Sequence, residues 1–238
     1  MDIKANKLIN NLKSIRRKAF TLAEVMITIA IIGLIYAFGI TPLVNSIQNA
    51  GFTAKLTKES SIIAQALNNY QADGNSIASA FPTTDPDWGS YSLSKLAPYL
   101  SIIKNCGSGM GCIPASTQYT LKGAVNDAYP DTTRNGMWGK AILADGTMLW
   151  IWDNESNCTT IANGTGTGPL ANNTCGTIGI DLNGDKGPNK LGRDVFAFWI
   201  TKTGIYPMGS YNDGYNDCNT AADGNGCAYK VLTQGMTY

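Results

Sequence analysis

Hydrophobic and polar positions divide the start of the chain into three stretches. Residues 1–19 are polar and basic, residues 25–54 carry no charged side chain, and apolar and polar residues then alternate with a helical period. Twenty residues of the apolar stretch, 25–44, would form a helix about 30 Å long, which matches the hydrocarbon thickness of a bilayer. The pattern predicts a helix that spans a membrane.

The stretch after Pro42 has the pattern of a helix with one apolar face. Its charged and amide side chains, Glu59 among them, occupy positions between the apolar ones. The apolar positions recur at helical spacing, at Leu56, Ile63, Ala66, Leu67 and Tyr70. One helix is therefore predicted over residues 20–71, with its second half covering a sheet, and the Asp-Gly-Asn sequence that starts at Asp73 is typical of a helix end.

The remaining chain contains apolar runs typical of β-strands. Two of them, residues 140–144 and 147–152, flank Asp145-Gly146, which predicts a hairpin with a two-residue turn. Further strands are predicted at residues 177–182, Val195–Thr201 and Gly204–Pro207, and a short helix kinked near Pro98 is predicted at residues 93–103. Together these elements predict an α+β fold in which a long N-terminal helix packs on an antiparallel β-sheet.

Charge is distributed unevenly along the chain. The 238 residues have a formal net charge of +1, but residues 1–19 hold six of the 18 Lys and Arg and one of the 17 Asp and Glu. The rest of the chain is therefore acidic, which argues against a nucleic-acid partner. A basic head before an apolar run is typical of a targeting segment whose positive end stays in the cytoplasm. In a secretory signal small residues follow the apolar run at the cleavage site, whereas here Ala19 precedes it.

Glu24 is a lone carboxylate beside the apolar run. It closes the sequence Phe20-Thr21-Leu22-Ala23-Glu24, which follows the basic stretch and Ala19. These residues resemble the N-terminus of the type IV pilin superfamily, which includes the pseudopilins of type II secretion systems. The resemblance implies that a prepilin peptidase cuts between Ala19 and Phe20 and methylates the new amino group of Phe20. It also implies that this positive amine pairs with Glu24 of a neighbouring subunit in a filament, so that neither charge is left alone in lipid.

The chain departs from the family pattern at two positions. Ala19 stands where the family usually has Gly, and Pro42 lies one residue later than the family's helix-breaking proline when counted from Phe20. Gly33, Gly39 and Pro42 are predicted to be weak points where the membrane helix melts locally on packing into a fibre. The alternative is a plain transmembrane helix, in which Gly and Pro are common.

The resemblance implies four parts of the chain: a prepilin leader (1–19), a transmembrane and polymerisation helix (20–44), its amphipathic continuation (45–72) and an extracytoplasmic globular domain (73–238). It implies a single-pass protein of the bacterial inner membrane, not an enzyme, whose globular domain lies in the periplasm or, after assembly, on the cell surface. The implied partners are copies of the chain itself, other pilin-like subunits, the prepilin peptidase and an inner-membrane assembly platform.

Three functions stay open for such a chain. A pseudopilin would form the filament that drives protein secretion by a type II secretion system. A type IV pilus subunit would form a surface fibre for cell adhesion, motility or DNA uptake. The alternative from a different class is a membrane-anchored extracytoplasmic binding module that does not polymerise.

Six cysteines lie in loops rich in Gly and Asn. Their even number and the export segment favour disulfides formed in an oxidising compartment. Many pairings are possible, and pairing of sequence neighbours is a guess: Cys106–Cys112, Cys158–Cys175 and Cys218–Cys227. The chain has no His and no Cys-x-x-Cys spacing, which argues against zinc and against His-dependent catalysis.

An acidic loop is the strongest candidate for a cofactor site. Asp181, Asn183 and Asp185 alternate as in the first half of a calcium loop, and Asp194 offers a fourth oxygen ligand. The loop departs from the EF-hand pattern because the turn glycine and the bidentate glutamate are both missing. Calcium loops occur in the C-terminal region of major pseudopilins, so the resemblance adds to the calcium prediction. The alternative is an Asx/Gly turn between strands that binds no metal.

Four tryptophans lie in or beside predicted strands: Trp138, Trp150, Trp152 and Trp199. Aromatic side chains contribute a large apolar area when they are buried. Core packing is therefore favoured for these residues over a platform for carbohydrate.

Overall fold

A computed structural model of the chain describes residues 20–82, 87–113, 118–125, 138–154, 157–162, 166–215 and 218–238. Contacts divide the chain into two units, Met1–Ile47 and Gln48–Tyr238. The predicted leader lies outside the described residues. The amphipathic residues 48–72 fall in the same unit as the sheet, so the boundary lies near the end of the predicted membrane span rather than at residue 72.

The chain is helical from Leu22 to Ala72. Helix α1 (Leu22–Ile35) continues as a π-helical segment (Tyr36–Ile40) and then as helix α2 (Thr41–Ala72). This confirms the long helix that was predicted over residues 20–71. The π-helical segment lies directly before Pro42, whose ring would clash with the carbonyl four residues earlier in a regular α-helix. The wider turn lets the helix continue through the proline without a break.

Short helices connect helix α2 to the sheet. A 3-10 turn (Ile77–Ala80) is followed by helix α3 (Trp88–Leu96) and by a second 3-10 turn (Ala97–Tyr99). The predicted helix at residues 93–103 is therefore wrong at both ends. Helix α3 starts earlier and ends before Pro98, which cannot donate the hydrogen bond that a continuing helix needs.

Six strands form one antiparallel sheet in the order of the sequence. They are β1 (Ile102–Gly107), β2 (Trp138–Leu143), β3 (Met148–Asp153), β4 (Thr174–Asp181), β5 (Val195–Thr201) and β6 (Gly204–Pro207). The predicted antiparallel sheet is confirmed, and β5 and β6 have the predicted bounds. Strand β1 was not predicted, and β4 begins at Thr174 rather than at residue 177.

Four residues, 144–147, connect β2 to β3, rather than the predicted two. Gly146 N–H donates to Leu143 O, and Leu143 N–H donates to Thr147 O, each at 2.9 Å. Gly146 has a φ of +85°, a left-handed conformation that glycine adopts without the strain other residues have. The loop is therefore a β-turn followed by a left-handed glycine, and Asp145 lies at its tip.

One face of the sheet packs against helices. Ile151 and Phe198 from the central strands lie in one buried cluster with Leu67 of helix α2. Helix α4 (Cys227–Gln234), which was not predicted, contributes Val231 to the same cluster. The second half of the long helix thus covers the sheet as predicted, and α4 adds a second helix to this face.

Three disulfides close loops around the sheet. They join Cys106 to Cys112, Cys158 to Cys175 and Cys218 to Cys227. These are the sequence neighbours that were expected to pair. Because a disulfide restricts the unfolded chain, each bond favours the folded form of its loop. The third one ties the preceding loop to the first residue of helix α4.

The opposite face of the sheet carries the four tryptophans. Trp138, Trp150 and Trp199 are buried, which confirms the predicted core packing for these three residues. Trp152 differs because 36% of its surface is exposed. Small clusters of apolar side chains pack around Trp150 and around Trp199, separately from the main core. This face is therefore covered around Trp150 and Trp199 and is partly open at Trp152.

Candidate functional site

Thr21 and Glu24 form a capping box at the start of helix α1. Glu24 N–H donates to Thr21 Oγ1 at 3.2 Å, and Thr21 N–H donates to Glu24 Oε2 at 2.8 Å. These reciprocal bonds satisfy two amide groups that the start of a helix would leave unpaired. They hold the Glu24 carboxylate at the N-terminal end of the helix, bonded to the residue that follows Phe20.

The surface of helix α1 is apolar and exposed. None of its side chains is buried, and Phe20 just before it is 83% exposed. Water disfavours a continuous apolar surface of this kind, so lipid or other helices are its natural surroundings. In the part of the chain that the structure describes, Leu22–Ala72 is the one helix long and apolar enough to cross a membrane. This helix fits a single-pass membrane anchor.

Gly33, Gly39 and Pro42 lie in or beside the π-helical segment. An added Cβ at either glycine would meet nothing within 4 Å, so neither glycine is required by a contact among the described residues. Thr41 Oγ1 donates to Tyr36 O at 3.4 Å, a bond across five residues that accompanies the wider turn. Local melting of this helix in a fibre stays a prediction.

The N-terminal residues match a known sequence family. The family model described as the prokaryotic N-terminal methylation motif matches residues 15–36, which include Ala19, Phe20 and Glu24. The chain carries the prepilin-type motif of the type IV pilin superfamily. No curated protein and no solved structure matches the chain.

The prepilin-type motif agrees with the architecture. A long N-terminal helix followed by a six-stranded antiparallel sheet is a pilin-like α+β arrangement. The motif implies processing by a prepilin peptidase and assembly with other pilin subunits, and the proteins that carry it are structural rather than enzymatic. The cut itself would fall between Phe20 and Ala19, and Ala19 precedes the first described residue.

The acidic loop after strand β4 brings together part of the predicted calcium site. Asp181 and Asp194 are fully buried, and Asp181 Oδ1 accepts the N–H groups of Asn183 at 3.2 Å and Gly184 at 2.9 Å. Asp194 accepts N–H groups from Lys190 at 2.7 Å and from Asn189 at 2.9 Å. The first set of bonds is the Asx turn that the sequence left open as the alternative.

Burial acts strongly on the two aspartates. It raises the pKa of Asp181 to about 8, with a further contribution from the charge of Asp194. Burial also raises the pKa of Asp194, against hydrogen bonds to Lys190 and Asn189 that lower it. The charge of Asp194 therefore disfavours the charged form of Asp181.

Asp185 differs in exposure from the two aspartates of the predicted ligand set. It is exposed, whereas Asp181 and Asp194 are buried. No three acidic, His or Cys side chains converge on a metal position among the described residues. The buried part of the predicted site therefore consists of Asp181, Asn183 and Asp194, and Asp185 lies on the outside of the turn.

A buried carboxylate in helix α2 was missed by the sequence analysis. Glu59 is fully buried, and Lys58 Nζ lies 3.2 Å from Glu59 Oε1 and 2.8 Å from Asp145 Oδ2. Glu59 follows Leu56 by three positions and precedes Ile63 by four, so helical spacing alone places it on the apolar face. That spacing was the signal that could have identified it.

The pKa values of Glu59 and Asp145 shift in opposite directions. Burial is the largest cause that raises the pKa of Glu59 to about 6. Burial would also raise the pKa of Asp145, but hydrogen bonds from Glu59, Lys58 and Thr147 outweigh it, so the pKa of Asp145 lies below its ordinary value. The hairpin tip is joined to helix α2 by Lys58, whose ammonium group lies within ion-pair distance of both acids.

Proposed function

We propose that this chain is a structural subunit of a type IV pilus-like or type II secretion pseudopilus filament. A prepilin peptidase would cut between Ala19 and Phe20 and methylate Phe20, and the N-terminal helix would then assemble with its neighbours. The observation that carries the proposal is the methylation motif at residues 15–36, placed at the start of a helix whose apolar side chains are all exposed.

Glu24 is the residue proposed to set the register of assembly. The capping box already directs its carboxylate toward the N-terminal end of the helix, where cleavage would create the amine of Phe20. An amine and a carboxylate are each unfavourable alone in lipid, and pairing between subunits would neutralise both. Gly33 and Pro42 are proposed to let the helix adapt to packing in the fibre.

The proposed location is the bacterial inner membrane, with a single span and with the globular unit in the periplasm or, after assembly, on the cell surface. The exposed apolar helix supports the membrane anchor. The six paired cysteines support an oxidising compartment for the globular unit. Genes beside this one for secretion or retraction components would separate a pseudopilus, which serves protein secretion, from a pilus, which serves cell adhesion.

The test is mass spectrometry of the chain recovered from membranes of cells with and without a prepilin peptidase. The expected result is a mature chain that begins at methylated Phe20 and appears only with the peptidase. An Ala19→Gly variant, which restores the family's usual residue, should be processed at least as completely. A chain that keeps residues 1–19 in both strains would overturn the proposal and favour the membrane-anchored binding module. A chain cut equally in both strains would also overturn it.

Calcium binding is a second candidate function of the globular unit. Asp181 Oδ2 and Asn183 Oδ1 are buried and accept no hydrogen bond in the described structure, which is a poor arrangement unless a cation or proton joins them. Calcium prefers six to eight oxygen ligands, and the two aspartates with Asn183 could supply the side-chain share of them. The residues present therefore fit a calcium ion, which would neutralise two carboxylates that burial places together.

The calcium proposal is tested by thermal unfolding of the full chain with calcium and with a chelator. Binding to the folded chain alone would raise the midpoint temperature with calcium. Asp181→Asn should remove this rise, and Asp185→Asn, in the same loop but exposed, should keep it. No rise in the unmodified chain, or an equal loss in both variants, would favour the metal-free turn.

A further inference from the structure

We propose that the tryptophan-bearing face of the sheet contains a binding cleft for a neutral sugar ring. The cleft has a volume of about 140 Å³, and its lining includes all four tryptophans of the sheet together with Tyr215. It belongs to the globular unit and would bind its ligand whether or not the chain polymerises. The proposal therefore does not depend on the proposed filament.

The strand register builds two aromatic walls. Trp152 of β3 pairs with Thr177 of β4, and Thr177 pairs with Trp199 of β5. Residues paired directly across antiparallel strands point to the same face. Neighbouring strands are about 4.8 Å apart, so the backbones of Trp152 and Trp199 are separated by about 10 Å, with only Thr177 between them. Trp152 is 36% exposed, whereas Thr177 is 8% and Trp199 5% exposed, so a flat ring can reach the face of Trp152 at the edge of the cleft and is not enclosed between two indoles.

A small residue makes the floor of the cleft flat. Gly179 pairs with Trp150, and this pair lies two residues along the strands from the pair formed by Trp152 and Thr177. A Cβ added to Gly179 would overlap the indole of Trp150. The indole therefore lies across the strand at Gly179, and Ala197 beside it adds only a methyl group. Any larger residue at Gly179 would displace the Trp150 ring.

The walls are held in place by further contacts. The Trp138 ring lies 5.3 Å from the Trp152 ring, and the Tyr215 ring lies 6.1 Å from the Trp199 ring in a stacked orientation. Trp199 Nε1 also donates to the buried carboxylate of Asp213 at 2.7 Å. Asp213 is a positioning residue for this wall. Rings fixed in this way lose little freedom when a ligand binds.

The chemistry of the lining indicates the class of ligand. None of the described residues that line the cleft is charged, which disfavours an ionic ligand. The hydroxyl groups of Thr177 and Tyr215 and the amide of Asn225 add hydrogen-bonding groups to the aromatic surface. A sugar ring has the complementary surface, since its C–H groups pack on indole faces while its hydroxyls bond to polar groups at the edge.

The size of the cleft limits the ligand further. Pockets for drug-sized ligands start at roughly 300 Å³, and this cleft is smaller at about 140 Å³. It therefore suits one ring, such as a monosaccharide or the last residue of a glycan, with the remainder of a longer chain outside. Trp152, which is 36% exposed, lies where such a ligand would enter.

The experiment is saturation-transfer NMR on the full chain in micelles of a detergent without a sugar headgroup. The probes are the methyl pyranosides of glucose, galactose, mannose and N-acetylglucosamine, titrated one at a time. At least one should show saturable binding, with the strongest transfer to the ring C–H protons of one sugar face. Trp152→Ala should weaken this binding by roughly tenfold or more, because it removes one wall.

Matched variants separate binding from folding. Tyr229→Ala removes an aromatic side chain that is similarly exposed but lies on helix α4, and it should leave the affinity unchanged. Trp152→Phe keeps an aromatic wall and should retain more affinity than Trp152→Ala, which protects the test if the alanine variant folds poorly. Thr177→Val keeps the shape of the floor and should reduce the affinity less than Trp152→Ala.

Two results would overturn the proposal. The first is the absence of saturable transfer to every sugar in the panel. The second is binding that Trp152→Ala leaves unchanged, which would place the sugar elsewhere. Phenol is added as a probe for an aromatic side chain of a protein partner. Saturable binding of phenol that requires Trp152, with no binding of the sugars, would assign the cleft to that partner and also overturn the sugar proposal.

Discussion

Helix α1 buries none of its side chains, whereas the unit Gln48–Tyr238 buries several charged ones. The buried carboxylates are those of Glu59, Asp153, Asp181, Asp194 and Asp213. An apolar surface without a cover requires lipid or other subunits, because none of the residues that the structure describes buries it. Buried carboxylates require partners within the same unit. The first region should therefore control assembly, and the second should control stability.

The largest expected effect tests the first region through Glu24. Glu24→Gln can keep the capping box but loses the charge, whereas Glu24→Ala loses both. Both variants should reduce the yield of sheared filaments by roughly tenfold or more, since a positive amine left alone near lipid costs about 2.5–3.5 kcal/mol when deeply placed. The measurement is quantification of sheared filaments against total chain. Asp223→Asn, which removes an exposed ion pair with Lys122, is the control.

If Glu24→Gln formed filaments at the normal yield, the predicted need for the charge of Glu24 in assembly would be wrong. That outcome would mean that Glu24 acts by capping helix α1, and that charge pairing between subunits is not needed. Loss of filaments in Glu24→Ala alone would support the same conclusion.

The next effect tests whether stability resides in the second region. Phe198 is fully buried in β5, and Phe198→Ala should lower the free energy of unfolding by about 3–5 kcal/mol through lost packing and a cavity. Urea unfolding of the full chain in micelles, followed by tryptophan fluorescence, measures the change. Ile103→Ala, at an exposed position of β1, should change it by less than about 0.5 kcal/mol. An equal, small loss in both variants would contradict this assignment of the core.

A smaller effect is expected at Asp213. Its carboxylate accepts hydrogen bonds from Trp199 Nε1, Gly209 N–H and Tyr215 N–H. Asp213→Ala would leave one buried and two partly buried donors unpaired and should cost about 2–3 kcal/mol of unfolding free energy in the same urea experiment. Asp213→Asn keeps one acceptor oxygen and should cost less. If the asparagine variant is as unstable as the alanine variant, the negative charge rather than the hydrogen bonds is what matters.

The smallest effect concerns Glu59 and depends on pH. Its folded pKa of about 6 exceeds its ordinary value of 4.5, so the folded chain binds more protons than the unfolded chain between these values. The free energy of unfolding should therefore fall as the pH rises from about 4.5 to 6, and it should stay lower above that range. Glu59→Gln is permanently neutral and should be more stable than the unmodified chain by about 1–2 kcal/mol at pH 7.5, with no advantage at pH 4.

Urea unfolding at the two pH values measures this difference. Lys58 and Asp145 face Glu59 and are unchanged in the variant. Asp223→Asn, at an exposed acid, should show no such dependence on pH. Equal stability of Glu59→Gln and the unmodified chain at pH 7.5 would mean that Lys58 fully compensates the buried charge.

Local patterns explain which elements could be predicted. The β5–β6 pair has its predicted bounds because its apolar runs and its turn residues are adjacent in sequence. Strand β1 was missed because Lys104 and Asn105 interrupt its apolar pattern, and its pairing with β2 crosses a long stretch of chain. The helix predicted at residues 93–103 was misplaced because the apolar pattern around Pro98 is weak. It does not show whether the helix lies before or after the proline. Helix α4 was missed because its apolar residues recur at helical spacing over only eight residues.

Local sequence patterns likewise explain which parts of the functional sites could be predicted. The prepilin-type motif is continuous in sequence, so Ala19, Phe20 and Glu24 could be named from local sequence alone, although the pairing of Glu24 between subunits stays a prediction. The acidic loop was recognised from its spacing, and its role as a calcium site stays a prediction, with Asp185 exposed and Asp181 and Asp194 buried. Spacing along a loop does not tell which side of the turn faces inward, and burial of Asp181 and Asp194 decides that.

By itself, the sequence determined the membrane-type helix, the processing motif and the apolar runs of the sheet strands, because each depends on neighbours within a few residues and on the contrast between apolar and polar groups. Only the tertiary structure decided which polar groups are buried and which distant residues meet. Lys58 bonds Asp145 across 87 positions of sequence, and Trp152, Thr177 and Trp199 share one row only because three strands pair in a particular register. Register and burial depend on the packing of the whole unit, which no local pattern contains.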